Sequence, residues 1–343
     1  ALEKITVEGE VLDASGQLVT DFTGIVNPTV KDSKVTVTCL KNSNKDDSPA
    51  FTFTDYPNTI FIGNDSVRNG KFSFTFTVPK DISYSNLQGK MNLYAVDTES
   101  GNEAQGNFDN FIVGGTSDTA ETDTIGPEIR ALYLNDTTFV DGGQVNTTPY
   151  FVAELWDKSG VNITGSSVGH DMMLVIDEST VLSYNLNSYY ELLLGEDGTG
   201  IVKFPIPALE PGKHTAEFWV WDILNNSTVR TFTFEVVEGL KPFLFDVIAT
   251  PGIAREQVTF HLMHNRPESR MRVGIMVYDL AGRQLWKHEE SGTSGLFENY
   301  TVSWDLTSGG ARMRPGVYIY RAAISTDNSK DATKARKFII LGE

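Results

Sequence analysis

Short stretches in which apolar and polar residues alternate recur along the whole chain. Residues 5–11, 35–40 and 72–78 are clear examples, and turn-forming Asn, Asp, Gly or Pro residues separate such stretches. Alternation with a period of two puts one face of a strand in the core and the other in solvent. No segment keeps a helical period for more than about three turns. The pattern predicts an all-β protein whose strands are spaced as in Ig-like sandwiches.

The length of 343 residues is too great for one sandwich and predicts two or three domains. Residues 116–126 are small and acidic with nothing to bury, which indicates a linker. A shorter break follows near residue 239. The predicted domains are an Ig-like or transthyretin-like sandwich over 1–115, an Ig-like sandwich over 127–238 and an Ig-like C-terminal domain over 239–343.

Charge changes at the second boundary. Residues 1–238 hold 14 Lys and Arg against 34 Asp and Glu, whereas residues 239–343 hold 14 against 11. Phosphates would repel the acidic block, so nucleic acid is excluded as its partner. The sequence lacks a stretch of about 20 apolar residues and the layout of a signal peptide at Ala1, which predicts a soluble fragment without a membrane span.

The two acidic domains end in a similar way. A strand, an Asp/Asn turn and a second strand follow Gly89-Lys90 in one and Gly212-Lys213 in the other, with turns at 97–102 and 222–226. Asp and Asn side chains bond their own backbone in turns, which favours a terminal hairpin in each domain. Convergence of generic hairpins is the alternative explanation for the likeness.

Candidate chemistry is sparse. Cys39 is the single cysteine and is in phase with Val35 and Val37, so we expect it to be buried in a core. For His170-Asp171, which follows a glycine, we expect local bonding to the turn backbone. Residues 157–160 could bind calcium, although no regular ligand loop is present. The sequence therefore predicts no catalytic residue, no cofactor and no metal ligand.

Four ordered elements lie in the last hundred residues. They are VYDLAGRQL at 277–285, VSWD at 302–305, RPGVYIYR at 314–321 and KARKFII at 334–340. Together they resemble the C-terminal signal domain of the type IX secretion system of Bacteroidetes. The Ig-like domain of flagellar hook caps shares the Trp-Asp and Gly-x-Tyr elements. Residues 249–252 and Leu306 depart from the common pattern, in which Asn-Pro lies near the start of the domain and Gly follows Trp-Asp.

The motif residues are also those expected to form turns and strands in an Ig-like domain. Asp279 and Gly282 bracket a hairpin turn before Arg283, and Gly316 launches a strand that contains Tyr318 and Tyr320. The final strand is expected at or near a sheet edge. The signal-domain motif consists of Asp279, Gly282, Arg283, Trp304, Asp305, Gly316, Tyr318 and Tyr320. The predicted docking residues of the final strand are Lys334, Arg336, Lys337, Phe338, Ile339 and Ile340.

Further upstream, the fragments at 133–136, 141–145, 157–162 and 169–171 resemble the post-catalytic region of PorU-type sortases. These belong to the gingipain-like cysteine peptidases, whose catalytic Cys and His lie in a preceding domain. The resemblance implies that this chain is not an enzyme. It also implies a bacterial cell-surface location, peripheral to the outer membrane. The partner it implies is an outer-membrane β-barrel shuttle of the PorV kind, and other proteins of the surface attachment complex are further candidate partners.

The combined prediction is a docking and sorting region in which two acidic domains act as spacers and the C-terminal domain is recognised by the barrel. The edge strand and its lysines could instead serve only to prevent aggregation. The alternative function is an adhesin or carbohydrate-binding module on another type IX cargo, in which Trp219 and Trp221 would contact glycan.

Overall fold

The computed structural model describes residues 1–40, 49–118, 122–165, 169–193, 198–326 and 328–342. In this part of the chain, strands dominate and most neighbouring strands are antiparallel. The predicted all-β fold class is confirmed. No helix among these residues is long and apolar enough to cross a membrane.

Every described sheet takes its strands from one of three ranges, 4–113, 128–236 or 244–340. The domain boundaries stay a prediction, and residues 119–121 of the expected linker lie outside the described residues. Contacts along the chain instead define two compact units. Unit 1 comprises 1–132, 152–203 and 215–232, and unit 2 comprises 133–151, 204–214 and 233–343.

The first range contains strands β1 to β11. They are β1 (Lys4–Glu10), β2 (Gly24–Lys31), β3 (Val35–Thr38), β4 (Thr52–Asp55), β5 (Thr59–Ile62), β6 (Asp65–Val67), β7 (Lys71–Thr77), β8 (Leu87–Gln88), β9 (Lys90–Asp97), β10 (Glu103–Phe108) and β11 (Ile112–Val113). The largest sheet has the order β10-β9-β2-β5, and β1 pairs with β7. In β7 the three phenylalanines alternate with exposed polar residues and enter the core of this range, as the sequence pattern predicts.

The second range contains β12 to β20 and one 3-10 turn, Asn187–Tyr189. The strands are β12 (Glu128–Leu134), β13 (Gln144–Val145), β14 (Tyr150–Trp156), β15 (Met173–Ile176), β16 (Ser183–Asn185), β17 (Tyr190–Leu192), β18 (Thr199–Pro205), β19 (Gly212–Trp221) and β20 (Ser227–Val236). They form sheets of order β12-β14-β18-β17 and β13-β20-β19-β15-β16.

The third range contains β21 to β30 and lies wholly in unit 2. The strands are β21 (Leu244–Thr250), β22 (Ile253–Ala254), β23 (Val258–His264), β24 (Met271–Tyr278), β25 (Gln284–Gly292), β26 (Tyr300–Trp304), β27 (Thr307–Ser308), β28 (Ala311–Arg312), β29 (Gly316–Ser325) and β30 (Ala332–Ile340). A three-stranded sheet, β21-β23-β26, and a five-stranded sheet, β22-β30-β29-β24-β25, share one hydrophobic core. We call this part the C-terminal module.

The predicted Asp/Asn hairpins are present in both acidic ranges. The Asp97 N–H donates to the Asn102 carbonyl at 2.8 Å, and the Asp222 N–H donates to the Asn226 carbonyl at 2.9 Å. Each carboxylate also accepts backbone N–H groups of its own turn, those of Glu99 and Ser100 in the first case. Short acidic side chains thus close both turns with their own backbone.

Candidate docking surface

The motif of the C-terminal module builds its turns. Asp279 accepts the backbone N–H groups of Ala281 and Arg283 and pairs with the Arg283 guanidinium at 3.1 Å. The hydrogen bonds to its carboxylate hold the pKa of Asp279 below its usual value. Gly282 has a φ of +83°, which a side chain would strain. Asp305 closes the next turn by accepting the N–H and hydroxyl of Thr307.

Other motif residues fill the core of this module. The Trp304 indole stacks on Trp286 with ring centroids 4.4 Å apart, and its Nε1–H donates to the Thr307 carbonyl. Tyr318 and Tyr320 are buried on the inner side of β29, which begins at Gly316. Their hydroxyls donate to the carbonyls of Arg314 and Val247, respectively. These residues specify the fold and offer little surface to a partner.

The final strand lies near a sheet edge, as expected. It pairs with β29 along Ala332–Ile340, and the two-residue β22 covers its other side at Ile339 and Ile340 only. Because side chains alternate along a strand, the six predicted docking residues divide between two faces. Phe338 and Ile340 are each 1% exposed and belong to the core. Their side chains contact the module itself.

Lys334 and Arg336 share the inner side with them, at the margin of the sandwich. The Arg336 guanidinium binds both carboxylate oxygens of Asp246 on β21 at 2.9 Å, so it links the two sheets. Hydrogen bonds from the Val247 N–H and Arg336 hold the pKa of Asp246 below its usual value, and the charge of Arg336 adds to this. Of the six residues, Lys337 and Ile339 alone point outward from the five-stranded sheet and are exposed.

A row of exposed aliphatic side chains crosses this outer face. Ile253 on β22 and Val317 on β29 are the direct neighbours of Ile339 on either side. Ile253 is 56% exposed, Val317 40% and Ile339 36%. Half-buried Ile319 and Tyr278 continue the apolar surface across β29 and β24. We call Ile253, Ile339 and Val317 the apolar row.

Basic residues also point outward on this face, with Lys337 nearest to the apolar row and Arg272 farthest from it. Lys337, Arg321 and Arg272 are exposed and point outward from β30, β29 and β24. The outward acidic residue Glu289 on β25 already pairs with Lys287 at 2.8 Å. The face therefore joins contiguous apolar area with positive charge. Sequence reasoning found Lys337 and Ile339 but missed Ile253 and Val317, which only the strand register brings together.

The expectation for Cys39 was wrong, because the residue is exposed. Strand β3 ends at Thr38, and among the described residues it pairs only with β4, in a two-stranded sheet. In β4 all four residues are exposed, so this ribbon does not pack its faces into a core. Phase with Val35 and Val37 therefore does not imply burial here.

The expectation that His170 bonds the backbone of its own turn was also wrong, because its partner is a distant carboxylate. His170 Nδ1 lies 2.6 Å from Oδ2 of Asp81, a buried residue from the first range, and its ring lies 4.5 Å from that of Trp221. Asn162 and Asn225 donate to the same carboxylate. Asp171 bonds the Asn187 side chain instead of a turn backbone. Asp81 thus ties three loops of the second range to the first within unit 1.

The tryptophans of β19 and a cluster of three aspartates concern the predicted glycan and calcium sites. Trp219 and Trp221 are half-buried, and Trp219 donates to the Glu217 carboxylate at 3.3 Å. Elsewhere in unit 1, Asp123, Asp157 and Asp222 bring one carboxylate oxygen each within 4.8 Å of one another. Burial, together with the charges of the other two, raises the pKa of Asp157 to about 6. The sequence showed three separate acidic turns and no reason for them to meet.

The chain was compared with family models, curated proteins and solved structures. No family model and no curated protein matches the chain. Among solved structures, dimeric latent PorU from Porphyromonas gingivalis is 37% identical over 100% of this chain, with a TM-score of 0.41. The chain spans 32% of that protein.

Two animal proteins are much more distant. The FN1–FN3 domains of chicken CNTN1 are 8% identical over 97% of this chain and 96% of theirs, with a TM-score of 0.21. The Ig1-2 module of Drosophila DLAR is 9% identical over 63% of this chain and 98% of its own, with a TM-score of 0.25. These two likenesses carry no functional argument. Along its whole length, the chain is similar to about a third of P. gingivalis PorU.

Proposed function

We propose that this chain is the non-catalytic docking and sorting region of a cell-surface sortase of the type IX secretion system. In this proposal, an outer-membrane β-barrel shuttle recognises the C-terminal module, and the acidic ranges act as spacers at the cell surface. The similarity of the whole chain to part of PorU supports this assignment. The outer face of the five-stranded sheet carries the docking role.

A docking surface requires side chains that are free to contact a partner. The motif residues are committed to turns and core, and Arg336 is committed to Asp246. The apolar row offers three adjacent aliphatic side chains in a sheet, and Lys337 and Arg321 point outward from the same face. Apolar centres with charged surroundings are typical of protein interfaces, in which the apolar contacts supply affinity and the charges guide association.

The test separates the outer face from the fold that presents it. Removing residues 334–343 would take away most of β30 and its core contacts, so loss of docking would not identify a surface. The double substitution Val317→Glu and Ile339→Glu changes outward side chains only. Ile248→Glu is the matched control, because Ile248 is 47% exposed on β21 of the other sheet.

The expected result is loss of surface retention for the double variant in cells that secrete the full-length parent protein. The Ile248→Glu protein should be retained as the unchanged protein is. Circular dichroism of the three purified chains checks that each is folded. Normal retention of a folded double variant would contradict the assignment of docking to this face.

A further inference from the structure

We propose that Asp123, Asp157 and Asp222 form a binding site for one calcium ion. The three residues come from separate parts of unit 1. Asp123 precedes β12, Asp157 directly follows β14, and Asp222 directly follows β19. Each offers one carboxylate oxygen, and these oxygens lie within 4.8 Å of one another.

The two buried carboxylates of this cluster have no ion-pair partner among the described residues, and the charge of Lys158 acts instead on Asp123. Asp222 is 0% and Asp157 is 5% exposed, and neither forms an ion pair with any described Lys, Arg or His. Buried carboxylates normally have a cationic partner or bind a metal, because an unpaired charge is costly away from water.

The local backbone holds the carboxylates in place. Asp157 Oδ1 accepts the N–H groups of Ser159 and Gly160, which leaves its Oδ2 without a hydrogen bond among the described residues. The Ser159 hydroxyl in turn donates to Asp123 at 2.9 Å. Asp222 accepts two backbone N–H groups of its own turn. Hydrogen bonds of this kind orient the ligands of a metal before it binds.

A separate feature beside the cluster also indicates a missing ligand. The Tyr190 side chain is 5% exposed and crosses Gly200, where an added Cβ would lie 2.3 Å from the hydroxyl oxygen. That hydroxyl has no hydrogen-bond partner among the described residues. It lines the same cavity of about 580 Å³ as Asp157.

Buried tyrosine hydroxyls usually have a partner. A water molecule bound to a cation at Asp157 would supply one, since calcium commonly retains waters among its ligands. An ion in the cluster would therefore also provide the hydrogen-bond partner that the Tyr190 hydroxyl lacks among the described residues. This observation is independent of the three carboxylates.

The ligand chemistry selects calcium. All three ligands are hard oxygen donors, whereas zinc and copper sites contain histidine or cysteine. Calcium binds six to eight oxygens at roughly 2.3–2.6 Å in a flexible geometry, so it accepts several carboxylates, whereas magnesium demands an octahedron and is usually bound by only one or two carboxylates. An ion here would join the segment before β12 to the ends of β14 and β19.

The test uses the whole chain after treatment with a chelator. Isothermal titration with calcium chloride should show one site per chain, and magnesium chloride should bind at least tenfold more weakly. Asp157→Asn and Asp222→Asn should each weaken calcium binding by tenfold or more. Asp97→Asn is the matched control, because Asp97 closes the equivalent hairpin turn in the first range without a carboxylate cluster; it should bind as the unchanged chain does.

A second measurement remains decisive if a variant does not fold. Hydrogen exchange of the unchanged chain should slow on addition of calcium in peptides that cover 157–163 and 222–226, and should not change in peptides of the C-terminal module. No calcium binding, no change in exchange at these peptides, or equal affinity in folded Asp157→Asn and Asp222→Asn variants would overturn the proposal.

Discussion

Stability of the C-terminal module should fall in mildly acidic solution because of His264. Its Nδ1 accepts the backbone N–H of Arg266 at 3.1 Å, and its Nε2 lies 2.9 Å from the Ser294 hydroxyl. A backbone N–H can only donate, so the bonded imidazole is neutral. Burial, and then the charge of Arg266, lowers the pKa of His264 from 6.5 to about 4.

The sign and size follow from linkage between protonation and folding. The unfolded chain takes up a proton near pH 6.5, while the folded module resists protonation until about pH 4. The stability from neutral His264 is therefore complete above pH 6.5 and is lost as the pH falls toward 4. Its full size is about 3 kcal/mol, of which about 2 kcal/mol should be lost between pH 7.5 and pH 5.

The assay is amide hydrogen exchange in peptides of β29, corrected for the intrinsic effect of pH on exchange. The variant His264→Asn keeps an oxygen that can accept the Arg266 N–H but cannot titrate in this range. The unchanged chain should lose about 2 kcal/mol more opening free energy than the variant between pH 7.5 and pH 5. Equal losses in the two proteins would refute the reasoning.

Three further results are expected. The exposed thiol of Cys39 should react with a thiol reagent in the native chain at a rate within about tenfold of the denatured chain, and protection until denaturation would contradict its placement. Arg336→Ala should destabilise the C-terminal module by up to about 1 kcal/mol in exchange experiments, less at high salt, because the link to Asp246 is partly exposed. Trp304→Ala should lower the free energy of unfolding of the C-terminal module by about 3–5 kcal/mol in the same assay, because its packing on Trp286 is lost. A loss below about 1 kcal/mol would count against the core position of Trp304.

Local sequence patterns predicted many of the strands and turns of the fold. Alternation in residues 72–78 predicted the buried phenylalanines of β7, and the Asp/Asn spacing predicted the hairpins closed by Asp97 and Asp222. Both features depend on neighbouring residues in the chain, since a strand has a period of two and a turn bonds within a few residues. Such features can be predicted from one sequence.

Features that depend on long-range pairing could not be predicted. Cys39 has the phase of a core residue, but whether its ribbon packs depends on distant strands. The apolar row requires the register of β22, β30 and β29, and the site of Asp123, Asp157 and Asp222 requires three segments to meet. A single sequence contains no register for non-local strands, so it does not predict which exposed residues become neighbours.

The central claim is tested by direct binding between this chain and a purified outer-membrane β-barrel shuttle of the type IX system, the partner proposed for it. The unchanged chain and the Ile248→Glu variant should bind with equal affinity, whereas Val317→Glu with Ile339→Glu should weaken binding by tenfold or more, because a central apolar contact is lost. Absence of binding by the unchanged chain, or equal binding by the folded double variant, would contradict the account.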